Sequence, residues 1–466
     1  MSSKIEEGEQ QKKWRLKPNW QGYDGFDRLI ETEFLTPEEQ WDFVDLQITN
    51  LAYHCGQNVR YYRRVWQDLG INFADITDRN ALSRLPILTK QDVQENARQL
   101  ISQQLPDGHQ IHTSTTTSGT TGEPLQILYS RACSHFFTLL KQRQLRWFRY
   151  DPTGLYGSLR PANDLPRDKN GELQAKDKIH QGNAWPVVGG IFETGKFIGL
   201  DDANKAEIKL QWLEQHQPDY LLGQSAQIEH IALLARDSSV QLNLKGIEAI
   251  SQQLTPDMQG VIESSMGAPV HQNYGLNEVG IVAARCPEGG QYHVHSEHCM
   301  IEIVDEQGQA CEPGEQGRLL VTVFGNLAMP LIRYDTDDLA IASTEPCICG
   351  RTLPHFSGIQ GRYRRTALLP EGAWEYWVNF QRCLGRLPTE YLHNLRQYQL
   401  FHHKNLDFTL KLVTQGQLNP KLIEEVTRLW DRPHTPGAPE LSIEYVDHIH
   451  RPDGGKFQNF ASEYFK

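Results

Sequence analysis

The chain has 466 residues, a net charge of −12 and eight cysteines. That length buries a large core and divides into two or more domains, the negative charge excludes a nucleic-acid scaffold, and so few, scattered cysteines exclude a secreted disulfide framework. No apolar run approaches the roughly 20 residues of a membrane span, and residues 1–11 are polar with no signal core, so a reduced, cytoplasmic, soluble protein is expected.

Residues 1–20 are polar, and a helical pattern occupies 36–68, with Thr36 ahead of Pro37, Glu38 and Glu39 as a capped start. The run 113–124 is almost wholly hydroxyl and glycine residues. Glycine lets backbone approach a ligand closely, and successive N–H and hydroxyl groups suit phosphate oxygens. The run reads as a nucleotide-phosphate cradle, as against a flexible Ser/Thr linker. No Gly-Lys-Ser/Thr closes it, so it is not a Walker loop. A strand over 125–128 and a helix over 134–149 are expected to follow, then a helix over 205–215 that stops before Pro218. Segments 220–223 and 249–250 read as buried strand ends with polar residues just beyond, where open α/β sheets hold ligands. Between 293 and 343 alternating segments at 300–304 and 319–323 are separated by Gly and Pro turns, a β-rich subdomain. After Arg362 a smaller α/β module is expected, with strands at 397–401 and 408–413 and a helix over 420–430; there is no internal repeat.

The string Ser118-Gly119-Thr120-Thr121-Gly122-Glu123-Pro124 resembles the phosphate-loop signature of the acyl-adenylate-forming superfamily: acyl- and aryl-CoA ligases, peptide-synthetase adenylation domains and luciferases. Four further matches follow in order. Asn273-Tyr274-Gly275-Leu276-Asn277-Glu278 is similar to the Tyr-Gly-x-Thr-Glu motif, and Arg333-Tyr334-Asp335-Thr336-Asp337-Asp338 to Tyr-x-Thr-Gly-Asp. Gly361-Arg362-Tyr363-Arg364 resembles the hinge motif, and Lys456 falls where the family keeps a late catalytic lysine. Tyr61-Tyr62-Arg63-Arg64, residues 82–90, Cys286 to His293 and Cys347-Ile348-Cys349-Gly350-Arg351 resemble the phenylacetate-CoA ligase-like branch. The resemblance implies an α/β protein with a large N-terminal adenylate-forming domain, residues 1–362, in which sheets carry flanking helices and a β-rich subdomain. A small, mobile α+β domain, residues 363–466, would complete it.

By the same resemblance the chain activates a carboxylic acid, aromatic or arylacetic, as acyl-AMP and transfers it to the thiol of coenzyme A. The alternatives are delivery to a carrier-protein phosphopantetheine or an amine in specialised metabolism, and a catalytically silent nucleotide-binding homologue. Carboxylates are poor electrophiles, so the site must hold the triphosphate and offset charge on the α-phosphate. Thr117, Ser118, Gly119, Thr120, Thr121 and Gly122 would bind phosphates, and Glu278 would hold Mg²⁺, a hard ion that prefers oxygen. Asn277 stands where the family has Thr, beside the α-phosphate. Tyr274 and Gly275 would flank adenine, Asp338 would accept both ribose hydroxyls, and Arg362 would contact the nucleotide at the domain boundary. Lys456 would bridge carboxylate and α-phosphate. The chain departs from the family pattern at Asp337, where Gly is usual, at Leu125, where many members have Lys, and at Arg364, where Asp is usual.

Cys347-x-Cys349-Gly350 forms a tight knuckle in this reading, and Cys286 and His293 complete a tetrahedral Cys₃His set, with His295 as the rival ligand. The resemblance implies a structural Zn²⁺ there, as against reduced structural cysteines. Candidates for the acyl pocket are residues 185–192, 223–225, 251–254 and Gly275. The expected partners are a small carboxylic acid, coenzyme A or an acyl carrier protein and, by family analogy, a second copy in a homodimer; no nucleic acid or membrane partner is expected.

Overall fold

The computed structural model describes residues 2–18, 25–116, 126–165, 179–238, 240–362, 394–430, 439–449 and 459–464, together with positions 370, 373, 376, 377, 380, 383, 384, 387, 391 and 392. It is a mixed α/β protein of two compact units. The first holds residues 1–153, 184–194 and 272–363, and the second 154–183, 195–271 and 364–466. No helix among the described residues is long and apolar enough to cross a membrane.

The first unit begins with helices. Thr36 caps Pro37–Asn58 through a reciprocal capping box with Glu39, which satisfies two otherwise orphan N–H donors. The predicted helix over 36–68 is in fact two, because Val59 leaves helical dihedrals (φ −117°, ψ 112°) before Arg60–Asp68 begins. Strands Ile111–Thr116 and Gln126–Ser130 pair antiparallel with Thr116 opposite Gln126, so they bracket the hydroxyl-rich loop. Ser130 ends the second strand and caps the helix Arg131–Trp147, which starts and stops earlier than the 134–149 read from sequence. The unit's sheet is antiparallel throughout, in the order Cys299–Val304, Gln316–Val323, Tyr334–Ala342, His355–Arg362, Tyr292–Val294, Gly280–Arg285 and Val270–Leu276. Its alternating apolar residues, among them Leu319, Val321, Val323, Tyr334 and Phe356, bury against Ile48, Leu51 and Tyr62 of the helices. That alternation is the period-two signal read in 300–304 and 319–323.

In the second unit the strands Gly246–Ile250, Tyr220–Gln224, Tyr156–Arg160 and Phe197–Asp201 are parallel neighbours, and His180–Gly182 closes the edge antiparallel. Helices Ala206–His216, Ser225–Arg236 and Pro256–Met266 bury Leu213, Ile228, Ile231 and Ile262 against this sheet. The helix before Pro218 ends as expected, with Gln217 in the left-handed region (φ 44°). The C-terminal module has four strands in the order Leu441–Tyr445, Phe408–Thr414, Leu395–His402 and Phe460–Ser462, with the helix Pro420–Trp430. Its own core is Phe380, Leu400, Phe408, Leu410 and Val426.

Candidate active site

Tyr274 sits near the end of Val270–Leu276, where the register with Gly280–Arg285 shifts at the step to Gly275. The turn closes only over glycine, because a Cβ on Gly275 would lie 2.5 Å from the Gly280 carbonyl oxygen. The irregularity aims the buried Tyr274 ring edge-on at Phe356, 6.2 Å between centroids, and its hydroxyl donates to Asp338 Oδ2 at 2.7 Å. Asp338 is also the backbone partner of Arg362 across the sheet. Asp338 and Arg362 thus sit on paired strands, and the Tyr274 side chain reaches Asp338 from a strand that is not their neighbour.

Asp337 answers the question posed by the missing glycine. It adopts φ 61°, the left-handed conformation glycine would take there. Aspartate tolerates this region better than most residues, and the Asp337 N–H donates to Asp335 Oδ1 at 3.0 Å. Asp335 in turn pairs with Arg318 at 2.9 Å. The Asp338 N–H donates to Thr336 Oγ1 at 3.2 Å, so side chains of the same motif fix the backbone that presents Asp338.

The Asn277-Glu278 turn is held by two phenols. Tyr129, on the strand leaving the hydroxyl-rich loop, donates to the Asn277 carbonyl oxygen. Tyr334 lies 3.5 Å from Glu278 Oε1. Burial first, and then the negative charge of Glu278, pushes the Tyr334 phenol well above its ordinary pKa, so it stays a donor. Burial does the same to Tyr129. Glu278 itself is half-buried and Asn277 exposed, which leaves both side chains open to a ligand.

A second cluster lies in the same unit. Cys286, His293, Cys347 and Cys349 are all buried, with their ligand atoms within 4.8 Å of one another. Ligand atoms of a tetrahedral zinc with mostly sulfur donors lie about 3.8 Å apart, so this set needs only small closure. Positive φ at Gly350 (78°) and its N–H bond to the Cys347 carbonyl fold the C-x-C turn. Gly289 is required by close approach, since a Cβ there would lie 2.2 Å from Cys347 Sγ. The Cys286 thiol holds Cys349 down as a thiolate, which also accepts from the Arg351 N–H at 3.4 Å and lies 3.2 Å from His293 Nε2. Burial works to lower the His293 pKa, but Cys347 and Cys349 outweigh it and raise the ring to about 9. His295, the rival, is outside the cluster. Its ring faces Arg143 and Gln144 at 3.3 Å, and burial with the Arg143 charge pushes its pKa well down.

Behind this cluster Glu33, fully buried, meets Arg143 at 3.2 Å, Arg146, and Arg351 at 3.3 Å, and accepts from Trp147 Nε1 at 2.9 Å. The Arg351 guanidinium lies 4.6 Å from the centroid of the Trp147 ring. The knuckle is thereby tied to the helix that follows the hydroxyl-rich loop. Nothing in the sequence around Glu33 signalled this network. Tyr129 and Phe356 were missed too, although Tyr129 follows the alternation of its strand.

Of the sequence-predicted residues, Thr117, Ser118, Gly119, Thr120, Thr121, Gly122, Leu125 and Lys456 lie outside the described residues, as do Tyr363, Arg364 and Arg365 of the hinge; Arg362 is described as backbone only. The structure brings together Tyr274, Gly275, Asn277, Glu278 and Asp338 in one unit, and separately the three cysteines with His293.

No family model matches the chain. The phenylacetate-coenzyme A ligase of Thermus thermophilus is 24% identical over 341 residues, which span 71% of this chain and 72% of that protein. The Escherichia coli phenylacetate-coenzyme A ligase is 27% identical over 309 residues, covering 61% of this chain and 63% of that one, just under two thirds. Among solved structures, a 2-hydroxyisobutyryl-CoA ligase in its postadenylation state, in complex with 2-HIB-AMP, superimposes with a TM-score of 0.72 at 16% identity and covers 96% of this chain and 95% of its own. The chain has the fold of an adenylate-forming CoA ligase. An anthranilate CoA ligase in complex with anthranoyl-AMP shares that fold with a TM-score of 0.53 at 15% identity over 91% of this chain and 79% of its own. In sequence both of these relatives, from Thermus thermophilus and Escherichia coli, are phenylacetate-coenzyme A ligases.

Proposed function

We propose that the chain is an AMP-forming acid–thiol ligase. It joins a small aromatic or arylacetic acid to AMP from ATP, then passes the acyl group to the thiol of coenzyme A. The observation that carries this reading is the Tyr274–Asp338 bond, 2.7 Å long, in the same unit as the phenol-held Asn277-Glu278 turn. Asp338 offers its carboxylate to ribose hydroxyls while Tyr274 fixes its orientation. Asn277 donates toward the α-phosphate, and Glu278 is the oxygen ligand for Mg²⁺, whose charge would lower the barrier to attack on the α-phosphate. Thr117, Ser118, Gly119, Thr120, Thr121 and Gly122 cradle the phosphates, Gly275 and Arg362 line the nucleotide, and Lys456 offsets charge in the adenylation step. The working division is residues 1–362 and 363–466, the latter carrying Lys456 on a mobile domain.

Cys286, His293, Cys347 and Cys349 fit a structural zinc. Four protein ligands leave no open position for substrate, so the metal would brace the knuckle and the Arg351–Glu33 network. Elemental analysis checks it: one zinc per chain is expected, and Cys349→Ser should lose both the metal and thermal stability.

Carboxylate-dependent exchange of labelled pyrophosphate into ATP tests the adenylation step. Exchange with benzoic or arylacetic acids is expected, and Lys456→Ala should abolish it while ATP binding changes little. Unchanged exchange in that variant would remove Lys456 from its role. Thioester formation with free coenzyme A separates the CoA reading from delivery to a carrier protein, and light scattering tests the homodimer. A cytoplasmic setting agrees with the eight free cysteines.

A further inference from the structure

The second unit contains a cavity of about 230 Å³ between the helices Ser225–Arg236 and Pro256–Met266 and the strand Leu395–His402. Its lining combines an apolar wall that includes Leu233, Leu387 and Leu392 with the polar Glu229, Asp257, Tyr398 and Arg236. Glu229 is only 8% exposed, and no described residue gives its carboxyl a hydrogen bond. A buried carboxyl without a partner is destabilising in either protonation state, and it persists where something else satisfies it. The Arg236 Nε meets Asp237 at 3.1 Å and its Nη2 donates to the Leu392 carbonyl oxygen at 3.0 Å, while its Nη1 is buried with no hydrogen-bond partner among the described residues. The charged and titratable groups that line the cavity with Glu229 are thus Asp257 from the second helix, Tyr398 from the strand and the Arg236 guanidinium from its own helix.

We propose that this cavity binds a small organic cation, an ammonium group on an apolar body about the size of one ring, with Glu229 as its counter-ion and Asp257 as the second carboxylate. The size follows from the volume, since an apolar cavity of about 150 Å³ already admits benzene. The charge follows from the Glu229 carboxyl, because an ammonium supplies both donor and countercharge to a desolvated acid. Burial and the Asp257 charge raise Glu229 to about 8, so the carboxyl of the empty cavity holds its proton at neutral pH. A bound cation favours the carboxylate, and the proton leaves to the buffer. Affinity therefore increases with pH, by up to about tenfold per unit below that pKa. Neither ATP nor an acid substrate takes part, but Leu387, Leu392 and Tyr398 lie in residues 363–466, which the ligase reading makes mobile, so the titration is run on the chain without either ligand.

Titration calorimetry of the full chain with benzylammonium chloride tests it, at pH 6 and 7 and in two buffers of different ionisation enthalpy. Saturable binding is expected, with release of nearly one proton at pH 7 and at least tenfold weaker binding of benzyl alcohol. Glu229→Gln should weaken benzylammonium by tenfold or more. Leu233→Trp, which fills the apolar wall, should abolish binding and keeps the test alive if the first variant does not fold. No heat of binding, equal affinity for the alcohol, absence of proton release, or binding untouched by these variants would each overturn the proposal. Pyrophosphate exchange is read separately, so failure of the ligase reading leaves this result standing.

Discussion

In the first unit the buried carboxylate of Glu33 meets three guanidinium groups and an indole N–H, whereas in the second unit the buried carboxyl of Glu229 meets no hydrogen-bond donor among the described residues. Both are glutamates on helices or at helix ends, and both are shielded from water. The contrast teaches that burial alone does not set the state of an acid. Where opposite charge and donors converge, the site is a structural strut that ties the cysteine knuckle to the helix Arg131–Trp147. Where they are missing, the acid holds its proton to about pH 8 and lines a cavity. Tyr274 and Asp338 lie between these extremes, a buried carboxylate that accepts from a neighbouring phenol at 2.7 Å.

The comparison breaks most visibly at Glu33. Glu33→Ala leaves three buried guanidiniums short of countercharge, and removing one partner of a buried pair costs about 3–5 kcal/mol. Urea unfolding should report a loss of that order; a loss below about 1 kcal/mol would mean that the carboxylates already paired with two of them, Glu297 with Arg143 and Glu288 with Arg351 at 3.6 Å, suffice. Glu229 gives the opposite sign. Its folded pKa lies above the ordinary carboxylate value, so its stabilising protonation is complete at low pH and is lost as pH rises toward 8. Wild-type stability should decline over that window by up to about 1.4 kcal/mol per pH unit from this group. Glu229→Gln should flatten the slope and gain on the order of 2 kcal/mol at pH 8 relative to the wild type. An unchanged slope would assign the pH dependence elsewhere.

The intermediate case sharpens the contrast. Tyr274→Phe removes a hydrogen bond to a carboxylate, worth about 1.5 kcal/mol. The apparent KM for ATP in pyrophosphate exchange should rise about tenfold, with a smaller change in turnover. An equal fall in turnover with unchanged KM would detach Tyr274 from nucleotide binding. The smallest effect is expected at Asp337. Asp337→Ala should destabilise by about 1 kcal/mol because a Cβ residue without a local hydrogen-bonding side chain is held at positive φ. Asp337→Gly should be nearly neutral in thermal unfolding.

By itself the sequence determined what contiguous residues can encode. The α/β class, the capped helix at Thr36, the strand leaving the hydroxyl-rich loop and the alternating segments of the antiparallel sheet follow from periodicity and from local caps and turns, whereas the strand Ile111–Thr116 ahead of the loop was not read. The motif residues were read from the resemblance to the adenylate-forming superfamily, which short contiguous runs carry; in the structure Asp335 and Thr336 shape the segment presenting Asp338. Tertiary structure decided everything that depends on which distant groups share a volume. The choice of His293 over His295 rests on the end of the strand Tyr292–Val294, after which the second ring turns to Arg143 and Gln144. The arginine cage around Glu33, and the lack of a donor to Glu229 among the described residues, are invisible in sequence for one physical reason. A carboxylate's charge state and partners are set within a few ångströms in space, and the chain brings those few ångströms together from segments far apart along its length.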